Sequence, residues 1–318
     1  MARTRAERAR KRPDERGARA RPKRAAQREP TPPANVEVAP VAGVTDAPLD
    51  ITDLGYAADL GARAHYEDPG YYTRTYGTRR HDIDYYVRRA RASKGPVLEY
   101  GVGNGRIALH VARAGVSIEG IDLSQAMLDD FRARLAREPK TVRQRVQLHR
   151  GDMRTMTLGR RFPLVTAPFN AVLHLYQRQD LEAFLARVRE HLAPGGLFVF
   201  DFSIPVPGDL ARDPERSFPA GTMIDPRTNE RLQYAERFEY DPLRQLLLVR
   251  MELSSEDGRT RTIPLTHRQY FPREMEALLH YNGFEQILFT ADFTDQPLDR
   301  YVDSIVVEAR ARAVPGGG

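Results

Sequence analysis

The sequence from Pro96 to about residue 203 alternates short apolar runs with amphipathic helical segments. Helical periodicity covers Arg106–Ala114, a segment from Ser124 to about Arg137, and Asp180–Leu192. The apolar runs, in chain order, are PVLEY, VSIEGID, RVQLHR, FPLVTAPFN and LFVFDF. Strands that alternate with helices form a parallel sheet that is covered by helices on both faces. The pattern therefore predicts a doubly wound α/β fold, in which ligands bind at the carboxyl ends of the strands.

After Pro205 the pattern becomes that of antiparallel strands. The segments RLQYAERFEY, LRQLLLVRME and TRTIPLTHRQY follow one another without a helix, and turn sequences at Asp241-Pro242 and Asp257-Gly258 separate them. We therefore expect an inserted antiparallel β-layer over residues 205–270. A helix from Pro272 and the strands QILFTADF and DSIVVEAR are predicted to complete the main sheet.

The N-terminal segment differs from the rest of the chain in composition and charge. Residues 1–48 are rich in Arg, Ala and Pro and contain no aromatic residue, so they are expected to form a disordered tail. Residues 1–30 hold 12 Lys and Arg against 4 Asp and Glu, whereas the whole chain carries only +6. The tail is either an electrostatic arm for nucleic acid or an acidic partner, or a solvated extension.

Composition also limits the class of protein. The chain has no cysteine, which excludes disulfides, thiolate nucleophiles and cysteine-ligated zinc. No apolar run approaches the roughly 18 residues of a membrane helix, and no secretory signal follows the start. We expect a cytoplasmic protein with no membrane partner and no metal site, and the oligomeric state stays open.

The stretch VLEYGVGNGR is a glycine-rich turn that follows the first strand. A dinucleotide fingerprint needs the spacing G-x-G-x-x-G. Here Gly101 and Gly103 fit, but Arg106 occupies the third position and the glycine falls at Gly105. Glu99 precedes the turn, and its carboxylate would oppose a pyrophosphate but suits a ligand with an amino group. This arrangement disfavours an NAD-dependent oxidoreductase.

Two further carboxylates end the next two strands. Asp122 ends the second strand, at a position where one carboxylate can bind both hydroxyls of a ribose. Asp152 follows the third strand, where it can accept a hydrogen bond from an adenine amino group, and Met153 can pack on the ring. These features occur in order at successive strand ends, so together they predict a nucleoside site without a phosphate.

These motifs resemble those of the class I S-adenosylmethionine-dependent methyltransferases. The segments that carry the resemblance are LEYGVGNG, GIDLSQAML, GDM and HLAPGGLFVFD, within about residues 65–310. The resemblance implies a seven-stranded, mostly parallel sheet whose last strand is antiparallel, and S-adenosylmethionine as the cofactor. It also implies the following cofactor-binding residues: Glu99, Gly101, Gly103, Gly105, Asp122, Leu123, Asp152, Met153 and Phe169.

Within that family the chain is most similar to small-molecule N-methyltransferases of the glycine/sarcosine and amino-sugar type. A tyrosine-rich segment before the first strand and the segment THRQYFPREMEALLHYNGF carry this similarity. The similarity implies a methyltransferase domain over residues 49–318, in which residues 49–95 form a helical lid and residues 205–270 form a cap over the substrate.

The residues that would act on the substrate follow from this comparison. We expect Tyr72 and Tyr76 to face the methyl group, and His174 to be a base or a substrate orienter, since the pKa of a free imidazole is near 6.5. Expected substrate contacts are Arg79, Asn170, His267 and Tyr270. Strand alternation can place His267 and Tyr270 on opposite faces, so we do not expect both to serve.

The predicted activity is N-methylation of the amine of a small molecule by in-line transfer. The first alternative is O-methylation of a small hydroxyl or carboxyl compound. The second is an RNA methyltransferase that binds its substrate through the basic tail. The segment APFN after the fourth strand lacks the Asn/Asp-Pro-Pro-Tyr/Phe motif of nucleic-acid amino-methyltransferases, so nucleic acid is not the expected partner.

Overall fold

A seven-stranded sheet forms the centre of the protein in the computed structural model, which describes residues 60–225 and 228–313. Its strands lie side by side in the order β10-β11-β5-β4-β1-β2-β3, and all neighbouring pairs are parallel except those that β11 makes. The predicted doubly wound, mostly parallel sheet is therefore confirmed. The strands are β1 (Val97–Tyr100), β2 (Ile118–Asp122), β3 (Val146–Arg150), β4 (Phe162–Ala167), β5 (Leu192–Ser203), β10 (Phe284–Ala291) and β11 (Ser304–Ala311).

Helices connect the strands and cover the sheet on both faces. Buried side chains form one large apolar cluster on each face, and β1 contributes Val97 to one cluster and Leu98 to the other because successive side chains alternate. The helices are α1 (Pro69–Tyr76), α2 (His81–Ala92), α3 (Ala108–Arg113), α4 (Gln125–Ala136), α5 (Lys140–Arg143), α6 (Arg178–His191), α7 (Pro207–Leu210) and α8 (Pro272–Tyr281). Two single turns of 3-10 helix lie at Ala64–Tyr66 and Ala171–His174.

The insert forms a separate antiparallel sheet of four strands, in the order β6-β7-β8-β9. This confirms the predicted β-layer, but the sequence predicted only three of its strands. The missed strand contains Pro219 and Gly221, and it pairs with its neighbour through a bulge between them. Both residues weaken a strand pattern in sequence. The strands are β6 (Phe218–Ile224), β7 (Arg231–Asp241), β8 (Leu246–Ser254) and β9 (Thr260–Arg268).

The N-terminal segment packs against this second sheet. Tyr71 of α1 is buried in a small cluster with insert residues, and its hydroxyl donates to the sulfur of Met251 at 3.3 Å. The predicted tail over residues 1–48 and the first part of the predicted helical lid over residues 49–95 lie outside the described residues. Residues 60–63, the first that the structure describes, are helical. Among residues 60–225 and 228–313, every helix is too short or too polar to cross a membrane.

Candidate functional site

A cavity of about 1190 Å³ lies at the carboxyl ends of the parallel strands. This is the edge of the sheet where the sequence predicted a ligand site. Ten of the predicted site residues line the cavity: Tyr72, Gly101, Gly103, Asp122, Leu123, Asp152, Met153, Phe169, His174 and Tyr270. The other predicted site residues do not line it, and these are Tyr76, Arg79, Glu99, Gly105, Asn170 and His267.

The glycine turn uses its three glycines in two different ways. Gly101 and Gly103 line the cavity with φ angles of 66° and 54°, which favour glycine. A Cβ at Gly105 would lie 2.3 Å from the ring of Phe131, so this glycine allows α4 to pack closely against the turn. The first two glycines keep the backbone open to a ligand, whereas the third contributes to the packing.

Asp122 is held at the end of β2 by backbone donors. Its carboxylate accepts from the N–H of Gly103 at 2.7 Å and from the N–H of Ser124 at 2.8 Å. Burial raises the pKa of Asp122, and these hydrogen bonds act in the opposite direction. The adjacent Leu123 leaves 53% of its surface exposed in the cavity wall. A charged oxygen beside an exposed apolar side chain suits a ribose with a flat base.

Glu99 lies beneath the turn and is 3% exposed. Burial raises the pKa of its carboxyl from 4.5 to about 8, and the nearby charges of Asp122, Asp82 and Asp201 add to this rise, while Arg106 opposes it. The carboxyl group is therefore largely protonated at neutral pH. A cationic group brought near Glu99 would favour its ionised form.

Arg106 supports the site without lining the cavity, and the sequence analysis did not select it. Its guanidinium donates to both carboxylate oxygens of Asp82, at 3.0 and 2.6 Å, and it stacks over the ring of Phe169 at 4.5 Å. Asp82 lies on α2 and is fully buried. The ion pair therefore connects the glycine turn to the N-terminal segment. No sequence signal links these two residues, since they lie 24 positions apart on different elements.

Two successive residues after β4 have left-handed backbones. The φ angles of Phe169 and Asn170 are 57° and 64°, which strain a residue that has a side chain. Side-chain acceptors hold this turn: Asp201 accepts from the N–H of Phe169 at 2.8 Å, and the Asn170 amide oxygen accepts from the N–H of Ser203 at 2.7 Å. The amide of Asn170, predicted to contact substrate, is thus used to fix the turn. The strained turn presents the Phe169 ring to the cavity.

Tyrosine and histidine side chains from the N-terminal segment cluster beside Phe169. The Tyr66 hydroxyl lies 2.7 Å from Nε2 of His174, and the Tyr76 hydroxyl lies 3.0 Å from Nε2 of His65. The ring of Tyr72 lies 5.0 Å from that of Tyr76. Tyr66 and Tyr72 line the cavity, whereas Tyr76 does not. The sequence analysis noted Tyr66 within a tyrosine-rich stretch but did not select it.

The ionisable groups of this cluster are held in their neutral forms. Burial lowers the pKa of His174 to about 4 and that of His65 to about 3, and it lowers the pKa of His267 as well. Burial also raises the pKa of Tyr72 to about 12. Nδ1 of His174 is buried and has no hydrogen-bond partner. The wall therefore offers neutral imidazole and phenol groups near neutral pH.

The loop after β3 carries a network of charges. Arg154 donates to Asp152 at 2.6 Å and to Asp180 at 2.7 Å, and this lowers the pKa of Asp152. Asp152 and Met153, which the resemblance assigns to the adenine side, both line the cavity. Arg154 was not predicted, although a carboxylate and an arginine two positions apart can often pair.

The remaining predicted substrate residues have partners within the protein. Arg79 donates to Ser304 at 3.3 Å and lies over the Phe169 ring at 5.3 Å. The hydroxyl of Tyr270 donates to the carbonyl of Leu175 at 2.6 Å, whereas the His267 ring lies 5.1 Å from that of His174. Over the ranges 60–225 and 228–313, no cluster of His, Asp or Glu is arranged to hold a metal ion.

The sequence matches known proteins over the part of the chain that carries the glycine turn and the strand-end carboxylates. Residues 97–196 match the family model described as "Methyltransferase domain". The chain is 36% identical over 120 residues to the dTDP-3-amino-3,6-dideoxy-alpha-D-glucopyranose N,N-dimethyltransferase of Streptomyces fradiae. This match covers 38% of this chain and 44% of that protein. The chain thus spans about half the length of the curated relatives it matches.

Solved structures match over more of the chain. The CcbJ methyltransferase of Streptomyces caelestis has a TM-score of 0.64 and 29% identity, and the match covers 74% of this chain and 97% of that one. The glycopeptide N-methyltransferase MtfA, complexed with S-adenosyl-L-methionine, has a TM-score of 0.50 and 27% identity, and covers 72% and 92%. Residues 97–196 therefore match a methyltransferase domain, and the chain shares the fold of these solved methyltransferases over about three quarters of its length.

Proposed function

We propose that this protein transfers the methyl group of S-adenosylmethionine to the amine of a small molecule. The observation that carries the proposal is His174: its imidazole lines the cavity, is held neutral, and has one nitrogen without a partner. A neutral imidazole whose Nδ1 lacks a partner can accept a hydrogen bond from the N–H of an amine and so turn the lone pair of that amine toward the methyl group, while the proton that the methylated amine loses passes to solvent.

The cavity fits the cofactor at the end near β1 and β2. Gly101 and Gly103 leave the backbone open for the methionine part, Glu99 lies near enough to Asp122 for their charges to interact, and Leu123 offers an apolar face beside that carboxylate. The bound cofactor supplies a methyl group on a sulfonium, ready for in-line displacement. The protein aligns the acceptor with this methyl group and excludes water from the site.

Tyr66 orients the His174 imidazole. In the tautomer in which Nε2–H of His174 donates to the Tyr66 oxygen, the lone pair of Nδ1 can accept a hydrogen bond from the amine. Burial keeps the Tyr66 hydroxyl protonated by raising its pKa. Tyr66 is thus a positioning residue for His174, and residues 60–92 act as a lid over the site because Tyr66 and Tyr72 line it.

The weak basicity of His174 favours an amine over a hydroxyl as the acceptor. With a pKa of about 4, this imidazole is far too weak a base to ionise an alcohol, whereas an amine is nucleophilic when neutral. The similarity to an amino-sugar N,N-dimethyltransferase supports the same choice.

A labelled-methyl transfer screen tests the proposal. Amines, amino sugars, amino acids, alcohols and carboxylates are incubated with the full chain and labelled S-adenosylmethionine, and products are identified by mass spectrometry. We expect an N-methylated product, and we expect His174→Asn to lower kcat by roughly tenfold to 100-fold with little change in cofactor affinity. Methylation of alcohols alone, or of no compound while the cofactor still binds, would contradict the proposal.

A further inference from the structure

The cavity extends past the motif residues to a wall built by the insert, by α8 and by the first residue of α6. We name this part the outer wall, and its members are Arg178, Leu243, Arg244, Arg268, Glu274 and Leu278. None of them belongs to the strand-end motifs at which the cofactor is expected. Pockets for a single drug-sized ligand range up to about 1,000 Å³, and this cavity, at about 1190 Å³, exceeds that size. It has room for the cofactor and a second ligand.

The apolar part of the outer wall is held in place although it is exposed. Leu243 lies in the turn between β7 and β8 and is 95% exposed. The carboxylate of Asp241 accepts from the N–H groups of Leu243 and Arg244, at 2.8 and 3.1 Å, and this fixes the turn. Leu278 of α8 lines the same cavity. A fixed, exposed leucine at the rim of a cavity gains free energy when an apolar ligand covers it.

The charged part of the outer wall is balanced within the protein. Arg244 pairs with Asp241 at 3.2 Å, Arg268 pairs with Glu274 at 2.5 Å, and Arg178 pairs with Glu182. Each arginine of the outer wall thus has a carboxylate partner, and the three ion pairs together carry no net charge. A diphosphate would have to displace these carboxylates to form bidentate hydrogen bonds with the guanidinium groups.

We propose that the part of the methyl acceptor that lies against the outer wall is an uncharged, apolar group that packs on Leu243 and Leu278, and not the diphosphate of a nucleotide sugar. The inference rests on the proposed function and specifies the substrate class for that same site. Leu243 is then a specificity-determining residue: it contacts the acceptor away from the reacting nitrogen and does not contact the cofactor.

Three forms of one amino-hexose test the inference: the free sugar, its nucleoside-diphosphate ester and its 4-nitrophenyl glycoside. The assay measures kcat/KM by labelled-methyl transfer. We expect the aryl glycoside to exceed both other forms by about tenfold or more, since one well-packed apolar group changes discrimination by that order. Leu243→Glu should remove this advantage, so that kcat/KM for the aryl glycoside falls to about that for the free sugar, while the affinity for S-adenosylmethionine stays unchanged.

Leu288→Glu is the matched control, because Leu288 is also exposed but lies on β10 and does not line the cavity. It should leave all three kcat/KM values unchanged. A preference for the diphosphate ester, or equal loss for all three sugars in Leu243→Glu, would overturn the inference and leave the proposed function intact. If none of the three sugars, nor any other amine, is methylated while the cofactor binds, the proposed function fails and this inference fails with it.

Discussion

Gly103 combines a positive φ with a place in the cavity wall, so it offers a direct test of the cofactor site. A Cβ there would lie 3.2 Å from the terminal methyl of Met127, and any longer side chain would enter the space left open by the turn. We expect Gly103→Asp to weaken S-adenosylmethionine binding by roughly 100-fold, or about 2.7 kcal/mol. Isothermal titration calorimetry measures the loss.

The control for this change is Gly159→Asp. Gly159 also has a positive φ, of 63°, but it is exposed and a Cβ there would meet no atom within 4 Å. Gly159→Asp introduces the same kind of backbone strain at a position outside the cavity. The affinity of this variant for S-adenosylmethionine should therefore match that of the wild type. Equal affinity in both variants would show that the glycine turn does not contact the cofactor.

Glu99 should release a proton when the cofactor binds. Its pKa is about 8 in the free protein, and an ammonium group nearby would lower that pKa, so binding at pH 7 should release close to one proton. Calorimetry in buffers of different ionisation enthalpy measures the release. Glu99→Gln should abolish this proton release, whereas Glu285→Gln, at an exposed position of β10, should not. Unchanged proton release in Glu99→Gln would assign the proton to another group.

The same raised pKa predicts how stability depends on pH. The folded state of Glu99 holds its proton up to about pH 8, whereas the unfolded state loses it near pH 4.5. The contribution of Glu99 is thus fully present below pH 4.5 and is lost as the pH rises toward 8. The free energy of unfolding of the wild type should therefore fall relative to that of Glu99→Gln as the pH rises from 4.5 to 8. Urea titrations of both proteins measure this difference.

At the scale of residues, the sequence identifies side chains whose role follows from their place in a strand-end motif. Asp122, Leu123 and Gly103 line the cavity because a motif fixes the backbone that carries them. Asn170 and Gly105 lie in the same motifs, yet Asn170 binds Ser203 and Gly105 packs on Phe131. Spacing along the chain does not show which neighbour a side chain meets in three dimensions.

At the scale of elements, the Asp82–Arg106 ion pair should hold α2 on the glycine turn. Removing one partner of a buried pair leaves an uncompensated charge, so Asp82→Asn should lower the free energy of unfolding by about 3–5 kcal/mol. The double variant Asp82→Leu/Arg106→Leu should recover much of this loss, because an apolar pair needs no compensation. Urea denaturation of both variants measures the coupling.

An exposed pair on α4 provides the control for this cycle. Arg132 and Asp129 lie 2.7 Å apart with about half of each side chain in solvent. Asp129→Asn should change the free energy of unfolding by at most about 1 kcal/mol. If Asp82→Asn were as mild as Asp129→Asn, the ion pair would not be what holds α2 in place.

The local sequence pattern predicts most elements of the main sheet. Helix α1 and strand β6, which were not predicted individually, show what such a pattern does not contain. Helix α1 has an N-cap at Asp68, which accepts from the N–H of Tyr71 at 2.9 Å, and a proline at its first position. That signal was present in the sequence, but the tyrosines around it gave no clear helical stripe. Strand β6 is held by pairing with β7, which single-strand periodicity cannot reveal.

At the scale of the whole molecule, the basic tail and the rest of the chain predict different partners. Residues 1–30 carry +8 and residues 31–318 carry −2, from a net charge of +6. If the substrate is a small amine bound in the cavity, deleting residues 1–45 should leave kcat/KM unchanged within about twofold. It should also leave the dependence of kcat/KM on salt unchanged, since the tail would then make no phosphate contacts that release counterions.

A nucleic-acid substrate predicts the opposite result. Loss of twelve basic residues would then strongly reduce the affinity for nucleic acid. It would also make that affinity depend less on salt concentration, because each phosphate that the protein neutralises steepens the dependence. A variant in which the tail is kept but its Lys and Arg residues are replaced by Gln separates charge from length. An unchanged kcat/KM for the small amine in both variants, with no binding of RNA by the full chain, would place recognition entirely in the cavity.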